Sequence, residues 1–275
     1  MARPRPTSRA RSQKLPQKHP RQLRQTLSQN FLADRAAAEH LARLAVPHGH
    51  ETPLLLEVGA GKGALTERLA PRCRELRAYE IDRRLLPALR LRFADTPHVT
   101  VIGGDFLHAD PPHTPFSVAG NLPFHRTSAI VDWCLRAPAL TEATLLTQLE
   151  YARKRTGDYG SWTLVTVLSW PCHEWRLVGR VARRRFRPVP RVDAGIVRIE
   201  RRATPLLDRD AYAGWRHLVE LGFSGVGGSL HASLRRAYPR RRVDAAFRAA
   251  GLDPGVLVGE VSPERWLRLH DVLGG

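Results

Sequence analysis

The chain has 275 residues, 44 Lys and Arg against 26 Asp and Glu, a formal charge of +18, and 43% apolar side chains. That length and apolar content can bury a full core, which excludes a bare binding module, and the charge excludes an acidic-surface protein. Only four of the basic residues are Lys; the planar fork of Arg suits bidentate phosphate recognition, so a nucleic-acid partner leads over a merely solvated basic face.

Residues 1–27 carry four prolines and eight basic side chains without one acid. Too little apolar surface is present to offset the entropy of ordering them, so a disordered basic arm is expected, suited to tethering RNA. A transit peptide is the weaker reading, because the prolines spoil an amphipathic helix. No secretory leader or membrane-length apolar run is found, and three scattered cysteines without CxxC spacing predict neither disulfide nor zinc. The histidines show no metal-ligand spacing, so no metal is expected, and a cytoplasmic chain without membrane contact fits.

From Leu54 onward, short apolar runs alternate with helical segments: LLLEV at 54–58, LRAYE at 76–80, VTVI at 99–102, FSVAG at 116–120 and ATLLTQL at 143–149. Continuous apolar runs between amphipathic helices predict strands buried on both faces of a parallel sheet, hence an α/β doubly wound, Rossmann-like domain. Two further strand-like segments, 174–181 and 194–200, follow without a long helix between them and predict an antiparallel edge of that sheet. After Arg202 the pattern turns to short helices split by Gly and Pro, with Ser262 and Pro263 as an N-cap and first-turn pair. Three regions are expected: the arm over 1–27, the sheet domain over 28–202 and a helical, RNA-binding domain over 203–275.

The run Glu57-Val-Gly59-Ala-Gly61-Lys-Gly63 ends the first of these strands and opens a helix, where glycines let a ligand approach the backbone. A P-loop is excluded, since Lys62 is followed by Gly. Glu80 ends the second strand, where a carboxylate can accept both hydroxyls of a ribose. Asp105 suits either an acceptor for an adenine amino group or a turn-capping residue. Gly120-Asn121-Leu122-Pro123-Phe124 follows the fourth strand, at the sheet edge where open α/β folds bind ligands. There the Asn121 side-chain oxygen and the Leu122 carbonyl can accept both protons of an exocyclic amine, with Phe124 offering a face to a base. An Asn-Pro type turn with an aromatic plug is the bland alternative.

Taken in order, Gln29-Asn30-Phe31-Leu32, Glu57 to Gly63, Glu80, Asp105 and Asn121 to Phe124 resemble the rRNA adenine-N6 methyltransferase family, which uses S-adenosylmethionine. The resemblance continues through Gln148 to Arg153 and Phe186 to Asp193, spanning about 28–200. Within the family, the GAGKG loop with Lys62, the basic arm and the short helical ending resemble the Erm type, which acts on 23S rRNA; the sister group, the small-subunit rRNA dimethyladenosine transferases, usually carries Pro and Leu in that loop. The resemblance implies that Asn30, Leu32, Gly59 and Gly61 meet the methionine part of the cofactor and its loop, Glu80 its ribose, and Asp105 its adenine. It implies further that Asn121 meets both cofactor and target amine, and that Phe124 stacks on the target base. Phe186 is implied on the base's other side or at the pocket entrance. Two positions depart from the family pattern, which commonly has Tyr at Phe124 and Ser at Ala194; stacking survives the loss of that hydroxyl. Resistance to macrolide, lincosamide and streptogramin B antibiotics follows from the same resemblance.

Binding of rRNA is expected at the arm and at Arg183, Arg184, Arg185 and Arg187 beside Phe186, with 23S rRNA, naked or in an assembling large subunit, as partner of a monomer. Two other classes stay open on residues alone. A nicotinamide-dependent oxidoreductase accounts for the glycine loop and Glu80 but not for GNLPF or the charge, and a non-enzymatic RNA-binding assembly protein leaves an intact Asn121 unexplained.

Overall fold

The computed structural model describes residues 30–47, 52–225 and 228–274; the arm expected over 1–27 lies outside the described residues. In chain order, β1 (Phe31–Leu32) and α1 (Arg35–Ala45) precede the first long strand, β2 (Thr52–Val58). There follow α2 (Thr66–Leu69), β3 (Cys73–Glu80), α3 (Leu86–Arg92), β4 (Val99–Gly103), β5 (Phe116–Asn121), α4 (Thr127–Arg136) and β6 (Leu140–Gln148). The second half holds α5 (Leu149–Thr156), α6 (Leu164–Ser169), β7 (His173–Val181), β8 (Phe186–Arg187) and β9 (Ala194–Arg201). It closes with α7 (Tyr212–Phe223), α8 (Leu230–Leu234), α9 (Arg240–Ala250) and α10 (Pro263–Leu273).

Seven strands form one sheet in the order β4-β3-β2-β5-β6-β9-β7. The first five are parallel, and β9 runs antiparallel to both β6 and β7, which is the predicted mixed edge. Alternate residues of each strand enter different cores. Leu55, Leu76, Ala119, Leu146 and Ile196 join α1 on one face, whereas Leu54, Leu56, Val118, Leu145 and Val197 join Trp133 of α4 on the other. The continuous apolar runs follow from this two-sided burial. The Rossmann-like α/β class expected from the sequence is the fold observed.

Helix α1 starts where the Asp34 carboxylate accepts the Ala37 N–H at 2.8 Å, a cap worth about 1 kcal/mol. Ala38, Leu41, Ala42 and Ala45 lie on its buried face, at the 3- and 4-residue spacings of one helical stripe. Ser262 occupies the N-cap position of α10 with Pro263 next to it, but its side chain makes no capping bond. Its carbonyl instead accepts the N–H groups of Arg265 and Trp266.

The helices after Arg202 share a third apolar cluster that includes Trp215, Phe247 and Trp266, and that draws in Val167 of α6. Trp215 Nε1 donates to the Leu168 carbonyl at 3.1 Å, and the Trp162 N–H donates to the Gly259 carbonyl at 2.6 Å. Full burial of each such side chain contributes roughly 1.5–3 kcal/mol or more, so these helices pack against the loop before β7. Among the described residues no helix is long and apolar enough to cross a membrane.

Candidate active site

At the carboxyl edge of β2 to β5 the loops part to leave a cleft of about 760 Å³, its open mouth included. Asn30, Gly59, Gly61, Glu80, Asp105, Asn121 and Leu122 line it, so seven residues chosen from sequence converge on one place. Tight turns at the strand ends create the space. The N–H groups of Gly59 and Ala60 both donate to the Tyr79 carbonyl at 2.9 Å, binding the glycine loop to the neighbouring strand. Gly59 and Gly61 have φ of +74° and +58°, and a Cβ on Gly61 would come within 3.1 Å of the Phe31 ring. Side chains are therefore excluded where the loop faces the cleft.

Glu80 is 3% exposed and held from both sides, its Oε2 accepting the Gly61 N–H and its Oε1 the Asp82 N–H, each at 2.7 Å. Burial pushes its pKa up, and those two hydrogen bonds oppose the shift. Each oxygen retains acceptor capacity for a hydroxyl. Below it, Glu57 is 1% exposed, and neither of its carboxyl oxygens has a hydrogen-bond partner among the described residues. Burial, reinforced by the nearby Glu80 charge, pushes the Glu57 carboxyl up to about 7.

Asp105 caps a turn, as the second of its two sequence readings has it. Its Oδ1 accepts the Leu107 N–H at 3.1 Å and so caps a short turn, while the residue also faces the cleft. Its Oδ2 is bound by Arg126 Nη2 at 2.5 Å. Arg126 was not legible as a site residue, because its pairing partner lies 21 positions away. Ile81, 41% exposed and apolar, also lines the cleft and was likewise missed.

Asn121 ends β5, and its Nδ2 donates to the Asn30 carbonyl at 2.8 Å. One of the two Nδ2 protons is used in this bond, and Oδ1 is the amide's hydrogen-bond acceptor. Phe124 opens a short turn just beyond Pro123, half-buried beside the mouth rather than within the cleft lining.

Two expectations require correction. Leu32 does not line the cleft: its side chain is 5% exposed and belongs to the core against α1. Phe186 cannot meet a base in this structure, because it is fully buried in that same core. Its burial follows from pairing of β8 with β1, in which Leu32 stands opposite Phe186.

Arg183, Arg184, Arg185 and Arg187 around it are exposed. Three of them also hold local structure: Arg183 donates to the Arg191 carbonyl at 3.2 Å, Arg187 to the Arg184 carbonyl at 3.1 Å, and Arg185 pairs with Asp34 at 2.5 Å.

A doubly wound sheet with a glycine loop, a strand-end carboxylate and an amide acceptor at its carboxyl edge defines a Rossmann-like methyltransferase. Comparison with known proteins narrows the class. A family model described as ribosomal RNA adenine dimethylase matches residues 21–274. The rRNA adenine N-6-methyltransferase of Streptomyces fradiae is 63% identical over 252 residues, covering 91% of this chain and 78% of that protein. The mycinamicin-resistance protein MyrB of Micromonospora griseorubida is 38% identical over 247 residues, covering 90% and 78%. The crystal structure of the 23S rRNA methyltransferase ErmE superposes with a TM-score of 0.84 at 50% identity, covering 90% of this chain and 100% of that one. The chain belongs to the ribosomal RNA adenine dimethylase family and is an rRNA adenine N6-methyltransferase.

Proposed function

We propose that the protein transfers a methyl group from S-adenosylmethionine to N6 of one adenine in 23S rRNA, and thereby confers resistance to macrolide, lincosamide and streptogramin B antibiotics. One observation carries the chemistry: Asn121 lines the cleft with its amino group anchored to the Asn30 carbonyl, an arrangement that leaves its oxygen to accept from a ligand. The likeness to ErmE and to MyrB supports the choice of 23S rRNA and of resistance.

The residues present fit the cofactor. Glu80 is buried yet keeps acceptor capacity for two ribose hydroxyls, Ile81 offers an apolar face, and the glycine loop leaves room that a Cβ would fill. When bound, S-adenosylmethionine supplies an electrophilic methyl on a sulfonium that departs as a neutral thioether. Asn30, Gly59 and Gly61, which line the cleft, would surround its methionine part. Asp105 accepts from the adenine amino group while Arg126 fixes the carboxylate's direction.

The target amine is a weak nucleophile because its lone pair is delocalised into the ring. Hydrogen bonds from its two N–H groups to Asn121 Oδ1 and the Leu122 carbonyl direct that lone pair toward the methyl, Phe124 stacks on the base, and the methylated amine then releases one proton to solvent. Orientation of this kind supplies several kcal/mol, by order of magnitude, without a covalent intermediate, about 7–11 in the best cases. A base inside a helix cannot enter such a cleft, so the target adenine is single stranded or flipped out. Arg183, Arg184, Arg185 and Arg187 contact rRNA phosphates, and the helices after Arg202 extend that surface.

The test is expression in a macrolide-sensitive bacterium. Growth on macrolide, lincosamide and streptogramin B drugs is expected, and none with Asn121→Ala. Unchanged sensitivity together with new methylation of small-subunit rRNA would move the protein to the small-subunit dimethyltransferases.

A further inference from the structure

Phe186, fully buried, and the Asp34–Arg185 pair lie on the path that joins the arginine run to the acceptor amide. The hydrogen bond from Asn121 Nδ2 to the Asn30 carbonyl fixes the amide only as firmly as Asn30 itself is held. Asn30 leads into β1, two residues long, which pairs with β8 in the register Phe31 with Arg187 and Leu32 with Phe186. So short a ladder is marginal alone.

Three further interactions reinforce it. Leu32 and Phe186 are buried in one core. The N–H groups of Ala33 and Asp34 both donate to the Arg185 carbonyl, at 3.1 and 3.2 Å. The Asp34 carboxylate binds Arg185 Nη1 at 2.5 Å, and this hydrogen bond holds its carboxyl below the usual carboxylate range. Asp34 is also the cap of α1, so the strand, the helix start and the arginine run share one anchor.

We propose that residues 30–34 and 185–187 form a clasp that sets the acceptor direction of Asn121, with Phe186 and the Asp34–Arg185 pair as positioning residues. The inference rests on the role given to Asn121 above. If Asn30 drifts, the amide loses its anchor and can turn its amino group toward the target amine, donor against donor. Misplacement on the scale of 1 Å costs on the order of 10²-fold in rate. Fully buried, Phe186 would act through volume and not through its aromatic face, which separates a clasp from a stacking platform.

The test compares Phe186→Ala, Phe186→Leu, Asp34→Asn and Arg185→Gln. It measures kcat and KM on a 23S rRNA fragment, affinity for that fragment, melting temperature, and hydrogen exchange of the Leu32, Ala33 and Asp34 amides. Phe186→Ala is expected to lower kcat roughly 10- to 100-fold, with rRNA affinity unchanged and exchange accelerated. Phe186→Leu, which refills the core, restores kcat to within about 3-fold. Asp34→Asn keeps an acceptor for the cap but loses the charge; it and Arg185→Gln each lower kcat severalfold, and the double variant is no worse than either single.

Phe186→Leu as impaired as Phe186→Ala, with weakened rRNA binding, would make Phe186 a base-binding residue and overturn the clasp. Should Phe186→Ala fail to fold, the exposed pair decides: unchanged kcat and unchanged exchange in both charge variants overturn it. Absence of transfer by the wild-type protein sinks the functional reading instead, and the exchange rates still judge the clasp.

Discussion

The cleft and the arginine segment lie at the same edge of the sheet, since β6 ends at Gln148 opposite Ala194 and β7 ends at Val181 opposite that same residue. They use charge in opposite ways. In the cleft, Glu57 and Glu80 are buried and Asp105 is ion-paired, so charge there is either desolvated or bonded in a fixed direction. At Arg183, Arg184 and Arg187 the side chains are exposed to solvent, where direction matters less and long-range attraction more. A change in the cleft should therefore act on the chemical step or on cofactor affinity, and a change at Arg183 or Arg184, outside the clasp, on encounter with rRNA.

The contrast can be broken most severely at Asn121. Replacing it by Ala removes the oriented acceptor, and single-turnover transfer should fall by at least 10²–10³-fold, by order of magnitude, with the melting temperature within a few degrees of wild type. Retained turnover would show that the acceptor lies elsewhere.

Glu57 comes next, measured as stability. Its carboxyl titrates at about 7 when folded, against an ordinary value of 4.5. The stability it contributes is full below the ordinary value, where both states are protonated, and is lost as pH rises through about 7, because the folded chain must then bury the charge. The loss is on the order of 3 kcal/mol at most. Glu57→Gln, neutral throughout, should flatten the fall in melting temperature between pH 5 and pH 8; identical profiles would contradict the assignment.

Glu80→Ala should weaken S-adenosylmethionine binding on the order of 10- to 100-fold in calorimetric titration, since hydrogen bonds to a charged group contribute about 1.5–3 kcal/mol. Affinity for rRNA should not move. The smallest effect belongs to the arginines: neutralising Arg183 and Arg184 together should weaken rRNA binding in a salt-dependent way, lowering the salt slope by roughly one for each phosphate that no longer meets a guanidinium. Cofactor affinity should stay at the wild-type value, and a shift there would show that these two arginines also act on the cleft.

The same contrast explains what the sequence could reveal. Strands β2, β5 and β6 announce themselves as apolar runs because both faces are buried, and the glycine loop, Glu80 and Asn121 are legible because they stand at strand ends, where open α/β sheets bind ligands. Strands β1 and β8 have two residues each, too few for any periodicity, and they pair across some 150 positions. Nothing in the local sequence therefore corrects the place at the base or pocket entrance that the resemblance implies for Phe186, although its surroundings are set by Leu32 and α1. Arg126 is invisible for a related reason, because a basic residue after an aromatic turn gives no sign that Asp105 lies within reach. Local composition carries elements and ligand-facing motifs, whereas tertiary pairing decides which side chains hold them in place.

The central claim is methyl transfer to N6 of an adenine in 23S rRNA, and the measurement that meets it most directly is transfer of labelled methyl from S-adenosylmethionine. Purified, deproteinised 23S rRNA and immature small subunits are offered in parallel, and the modified base is located by reverse-transcription stops and nucleoside analysis. Label confined to N6 of one 23S adenine is the predicted result. Label on small subunits alone, or cofactor binding without transfer to either RNA, would contradict it.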